Sequence, residues 1–252
     1  MKRVLPIALI LVAFAVTTAW MMPSMMGPWR AMPGTATDIA AGADTSVFSV
    51  APSPGNDGAV FQWNDAAFAW MNVGGKAARI AVEAMGRPWV ITNDNKIFRL
   101  RGATWQAMPG DAVDIGTGSD GSVWVVGTSD KVFKWNEDSF GWQDLGGKAR
   151  RITVDSDGRP WVITKDNKVF RLRGTTWQAM PGDAVDIGAG ADGTVYSASP
   201  RGKAYEWNDD AFAWQDQGGD NITDITVGPR GDVWVVTNDN KIYWQAPKGG
   251  GM

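Results

Sequence analysis

Three segments of this 252-residue chain each bring aromatic rings, an amide and a carboxylate together over six residues, at intervals of 72. They are Trp63, Asn64, Asp65 with Phe68; Trp135, Asn136, Glu137 with Phe140; and Trp207, Asn208, Asp209 with Phe212. Flat rings stack on pyranose faces, while an amide and a carboxylate supply the donors and acceptors that sugar hydroxyls need. These twelve residues are therefore the candidate carbohydrate-binding set. A second chemistry fits the same letters. Asn and Asp make a tight turn, with Trp and Phe packed across it. At the corresponding place, alternate repeats carry Arg99-Leu100-Arg101-Gly102 and Arg171-Leu172-Arg173-Gly174, and the last carries Trp244-Gln245. Paired guanidiniums on an outer loop suit the acidic groups of an anionic glycan, and equally a solvated surface.

Composition removes other chemistries. The chain has no His and no Cys, so histidine-dependent catalysis, thiolate nucleophiles and disulfides are excluded. With 24 basic against 27 acidic residues the net charge is −3, which is not the balance of a nucleic-acid binder. Asp155-Ser156-Asp157-Gly158 matches part of a calcium loop, but the remaining ligands and the terminal Glu are missing. No metal, no cofactor and no catalytic residue is expected, although abundant turn carboxylates leave a glycosidase open.

The elements that must position these residues come from an internal repeat. Residues 105–116 return unchanged as 177–188, and repeats open at Trp29, Trp70, Trp105, Trp142, Trp177 and Trp214. Their spacings are 41, 35, 37, 35 and 37, the excess in the first lying in a Pro/Gly-rich insertion at Pro52–Gly58. In the fourth repeat, strands are predicted at Arg151–Val154, Pro160–Thr164 and Lys168–Leu172, with a further strand at Trp177–Ala179. Asp157-Gly158 and Asp166-Asn167 between them suit hairpins that need positive φ. Six such units predict an all-β, six-bladed β-propeller of four-stranded antiparallel blades. The spare strand Trp29–Met32 would pair with Lys241–Gln245, closing the ring with one strand from each end of the chain.

Recurring positions then acquire roles. Ile39, Ile80, Ile115, Ile152, Ile187 and Ile225 belong between blades near the axis, each worth about 1.5–3 kcal/mol of burial. Before them stand Asp38, Arg79, Asp114, Arg151, Asp186 and Asp224, read either as a belt of inter-blade ion pairs or as a charged ligand channel. A second alternation, Thr35, Lys76, Asp111, Lys148, Asp183 and Asp220, predicts unlike charges meeting between neighbouring blades. Phe48, Trp89, Trp124, Trp161, Tyr196 and Trp234, with the leading Trp residues, are expected to fill the wedges between blades rather than stack on sugar.

Residues 1–19 read as a secretory signal: Lys2 and Arg3, the apolar run Val4–Val16, then Thr17-Thr18-Ala19. That run is short of the about 20 residues a membrane-spanning helix needs. Cleavage after Ala19 would leave 22 basic against 27 acidic residues, a charge of −5, and no membrane span. Residues 20–28 form a Met-rich lead-in, 29–247 the propeller, and 248–252 a tail.

The leading Trp, the stretch Asp114–Trp124 (DIGTGSDGSVW) and the closing Val132–Asn136 (VFKWN) resemble the tectonin β-propeller repeat, shared by tachylectin-type and fish-egg lectins. The resemblance spans Trp29 to about Pro247 and implies a six-bladed ring that recognises glycans, with lipopolysaccharide, N-acetylglucosamine or O-methylated sugars as ligands. Other proteins of that kind are interaction scaffolds. The expectation is thus a non-catalytic, lectin-like, secreted or periplasmic protein whose partners are cell-surface or envelope glycans. The alternative is an envelope scaffold that binds another protein.

Overall fold

A computed structural model of the chain describes residues 28–52 and 58–248. The proposed signal, nearly all of the lead-in, the middle of the Pro52–Gly58 insertion and most of the tail lie outside the described residues. Among the described residues there are strands and turns and no helix. The reason is local: β-branched and aromatic runs of four to six residues alternate with tight turns, too short and too punctuated for helical periodicity.

The strands form four-stranded antiparallel blades of a β-propeller. One blade runs Asp38–Ala41, Val47–Val50, Gly58–Asn64, Ala69–Ala77; another Arg151–Val154, Pro160–Ile163, Lys168–Arg173, Thr176–Asp183; a third Asp186–Ala189, Val195–Ala198, Ala204–Asn208, Ala213–Asp216. A seven-stranded sheet joins two further sets through one long strand, Thr104–Thr117. Its first half pairs with Lys96–Arg101 and its second half with Val123–Gly127, so it is outermost in one set and innermost in the next. The remaining sheet pairs Arg30–Thr35 with Lys241–Gln245, placing Arg30 opposite Trp244 and Met32 opposite Ile242.

The hairpins follow the predicted turn chemistry. Asn167 has φ 66° and Gly158 has φ 73°, the left-handed conformations that Asn and Gly reach at least cost. The innermost strands approach each other too closely for side chains everywhere. A Cβ on Gly116 would sit 2.7 Å from the Ile152 carbonyl oxygen, and one on Gly188 2.7 Å from that of Ile225. Those glycines let backbone meet backbone near the axis.

Burial confirms the inter-blade roles of the recurring apolar residues. The six Ile side chains and all six second-strand aromatics are buried. They form apolar clusters that each draw on neighbouring blades, as where Trp161, Ile163 and Val169 pack with Ile187, Val195 and Trp207.

The second charge alternation behaves differently from its prediction. Asp111 and Asp183 do not reach across to another blade. Each accepts from a Lys on the strand beside its own, Lys96 at 2.7 Å and Lys168 at 2.6 Å. The cause is the register, which places these carboxylates directly opposite those lysines within one sheet.

Candidate functional site

Two regions concentrate charged and aromatic side chains: the axis, and the turns on the outer edge of alternate blades.

At the axis the innermost strands present Asp38, Asp114, Asp186 and Asp224, all buried. One carboxylate oxygen of each accepts a backbone N–H from the next blade: Ile80 donates to Asp38 at 2.6 Å, Ile152 to Asp114 at 2.7 Å, Ile225 to Asp186 at 2.8 Å, and Ile39 to Asp224 at 2.9 Å. The other oxygens face Arg79, which crosses the channel. It pairs with Asp38, with Asp114 at 2.8 Å, with Asp224 at 3.3 Å and with Asp186 at 3.5 Å. Arg151 adds a pair to Asp186 at 3.3 Å. The belt of inter-blade ion pairs is therefore present, with one guanidinium serving four carboxylates. Burial raises Asp38 to about 6 and Asp224 to about 8, and pushes Asp186 up as well. The space left at the axis is about 50 Å³, against roughly 300–1,000 Å³ for small-molecule sites. The axis is a structural lock. The partial calcium loop is similarly committed, because Asp155 accepts the indole N–H of Trp161 at 3.0 Å and the Arg159 guanidinium at 2.9 Å. Among the described residues no cluster of carboxylates has the arrangement of a metal site.

The predicted carbohydrate-binding residues lie at the outer edge, on the turn between the third and fourth strands of three blades. Each set of four is brought together locally, and the three sets remain separate. Within a set the Asn makes the turn: Asn64, Asn136 and Asn208 accept the backbone N–H three residues on, at 2.8 Å each. The carboxylate holds an indole in two of them, Trp63 donating to Asp65 and Trp135 to Glu137, both at 2.6 Å. The Phe takes a left-handed backbone, with φ of 47°, 46° and 48° at Phe68, Phe140 and Phe212. That conformation turns the ring edge-on to the preceding Trp, at centroid distances of 5.2, 5.1 and 5.2 Å. The three rings remain 47, 46 and 45% exposed. The Asn thus does the turn-making work of the second reading, the carboxylate braces an indole in two of the sets, and the Phe rings are what the turns present to solvent.

Each Trp of the motif also packs against a neighbouring blade. Trp135 lies 5.9 Å from Trp89, Trp207 lies 5.7 Å from Trp161, and Trp63 lies 5.9 Å from Trp234. At the first two junctions an arginine completes the arrangement. Arg99 stacks over Trp89 at 4.9 Å and pairs with Glu137 at 2.9 Å; Arg171 stacks over Trp161 at 4.8 Å and pairs with Asp209 at 3.0 Å. The hydrogen bonds from Arg99 and Trp135 hold Glu137 below the usual carboxylate range. These two arginines are 3% and 0% exposed, so the expectation of paired outer-loop guanidiniums is corrected. Residues two apart share a strand face, so both arginines of the first pair reach Glu137; Arg99 lies inside the strand over Trp89, and Arg101, at the strand's end, stays exposed. Sequence alone missed this role. Its one legible signal was that Arg99 and Arg171 each follow a second-strand Trp by ten residues, the distance that cross-strand pairing makes adjacent.

The Tectonin domain model matches residues 76–169 and 148–249. No curated protein sequence is significantly similar to the chain. Several solved structures share its fold. A streptogramin B lyase structure has a TM-score of 0.60 at 19% identity, covering 87% of this chain and 88% of that one. A chain in a mitotic checkpoint complex has a TM-score of 0.62 at 10% identity, covering 98% and 99%. YCF48 bound to D1 peptide has a TM-score of 0.58 at 17% identity, covering 88% and 97%. At such identities the likeness is one of fold alone. The matched segments, repeating the same blade grammar across most of the chain, make it a member of the Tectonin domain family.

Proposed function

We propose that this protein is a non-catalytic, lectin-like propeller that binds cell-surface or envelope glycans, lipopolysaccharide or methylated sugars among them, outside the cytoplasm as a secreted or periplasmic protein. The observation that carries the reading is the threefold presentation of Phe68, Phe140 and Phe212. Each is exposed to the same degree, in the same left-handed turn, beside a Trp and a carboxylate. Each ring packs one edge on its Trp and leaves about half of itself in water at three equivalent places, and flat rings near polar groups suit sugar faces. Three equivalent weak sites would gain avidity on a repetitive surface.

The ring is read as six blades, with the seven-stranded sheet counted as two that share Thr104–Thr117. Its closure rests on the pairing of Arg30–Thr35 with Lys241–Gln245, and on the bond from Ile39 N–H to Asp224. The leader at residues 1–19 motivates the location.

A glycan array probed with the chain from Trp20 onward tests the function. Binding to at least one glycan class is expected, and the combined Phe68→Ala, Phe140→Ala and Phe212→Ala variant should lose about tenfold or more in affinity while staying folded. Silence across the array would contradict the proposal and favour a protein-binding scaffold.

A further inference from the structure

The third junction, between Trp234 and Trp63, breaks the pattern of the other two. Cross-strand register makes Trp244 the equivalent of Arg99 and Arg171, since it lies opposite Trp234 as they lie opposite Trp89 and Trp161. No arginine fills the wedge there. Trp244 tilts against Trp234, with centroids 6.4 Å apart at 58°. The carboxylate has moved too. Glu83 and Asp155, six residues before their Trp, accept its indole N–H, but the equivalent position holds Gly228. Asp232 takes over, accepting from both Trp234 at 3.1 Å and Trp244 at 3.3 Å.

The cations are rearranged in the same way. Arg30 stands where the other junctions have Gln106 and Gln178, opposite Trp244 on the outermost strand. Its guanidinium lies 5.0 Å from the Phe68 ring. Arg230 stands where the other hairpins have Met85 and Asp157. Both are exposed, unlike the buried Arg99 and Arg171. What results is a cavity of about 280 Å³, walled by Trp63, Phe68, Trp234 and Trp244 with Arg30 and Arg230 on its lining. That is near the lower end of the roughly 300–1,000 Å³ range of small-molecule sites and suits one sugar ring. Cavities of about 360 and 350 Å³ flank Ser199–Arg201, but only Tyr205 and Trp214 line them with rings.

We propose that the Trp234–Trp63 junction is a binding pocket for a single pyranose ring bearing an acidic group, a carboxylate or a phosphate. The proposal rests on the glycan-binding reading and assigns it one dominant site on this chain. The ring stacks in the aromatic slot. Asp65 and Asp232 already hold indole N–H groups, which leaves the two rim guanidiniums as the charged donors for the acidic substituent.

Calorimetric titration of the chain from Trp20 onward with glucuronate, glucose 6-phosphate and glucose tests it. At least one acidic sugar should bind about tenfold or more tightly than glucose, and comparing the two distinguishes carboxylate from phosphate. Trp244→Arg, which restores the residue of the other junctions, should abolish that binding. Arg30→Gln and Arg230→Ala, both at exposed positions, should each weaken it several-fold and reduce the preference over glucose. They keep the test decisive if Trp244→Arg folds poorly. Equal affinity for glucose and both acidic sugars would overturn the proposal, as would binding that survives Trp244→Arg. If the array is positive and these variants bind it unchanged, the pocket is wrong and the lectin reading stands. If the array is silent, the lectin reading itself fails.

Discussion

The axis and the outer junctions both pair acidic side chains with arginine and use them in opposite ways. At the axis four Asp and two Arg converge, every Asp is buried and stapled to a neighbouring strand's N–H, and about 50 Å³ is left. At the edge, Asp65 and Glu137 hold indoles in place, leaving Phe68 and Phe140 half exposed. Charge closed in by partners makes a scaffold. Charge that merely braces aromatic rings makes a surface. Within the edge the contrast repeats on a smaller scale, between two junctions filled by a stacked arginine and one left open by Trp244.

The sharpest way to break this contrast is to remove the axial cation. Arg79→Met leaves four buried carboxylates short of their shared partner and should cost about 3–5 kcal/mol, read by urea denaturation. A change below about 1 kcal/mol would mean the axis is not the lock described.

Titrating the axis comes next. Asp38 and Asp224 have folded pKa values raised above 3.8, to about 6 and about 8, so the folded state binds more protons than the unfolded one between these limits. Their ionisation therefore disfavours the fold. Relative stability is full below about pH 4 and is lost as pH rises through 6 and 8, by at most on the order of 1.4 kcal/mol for each tenfold difference in proton affinity between the folded and unfolded states. The melting temperature should accordingly be higher at pH 5.5 than at pH 8.5. The opposite slope would contradict the burial of these groups.

Arg171→Met tests the filled junction. It removes a buried cation stacked on Trp161 and paired to an exposed Asp209, with an expected loss of about 1–2 kcal/mol. The smallest stability effect belongs to the Phe68, Phe140 and Phe212 triple variant, at about 0.5 kcal/mol or less per site, because those rings are half in water. Its large effect should fall on binding.

Much of the scaffold was legible in the sequence because each blade is a local object. Strands at Arg151–Val154, Pro160–Ile163 and Lys168–Arg173 fall where turn residues and β-branched runs place them, within a residue at their ends. The continuous strand Thr104–Thr117 was not legible, since nothing local distinguishes its course from that of the related text at 176–189, which breaks into two strands. The candidate site was half legible. Trp, Asn, carboxylate and Phe do converge, yet the division of labour among them depends on a left-handed turn at Phe, a residue that rarely adopts one. The burial of Arg99 and the opening at Trp244 depend on cross-strand register, which pairs residues ten apart and cannot be read from either alone.

The proposed division of roles gives sugar recognition to the outer aromatic edge and leaves the interior only to hold the ring together. Indole N–H resonances of a 15N-labelled sample report on the tryptophans separately, so titration with the strongest-binding arrayed glycan separates the two regions in one experiment. Shifts should be confined to tryptophans at the outer junctions, Trp63 and Trp244 foremost, with the buried Trp29 and Trp124 unmoved. Shifts centred on those buried indoles, or none with any glycan, would contradict that division.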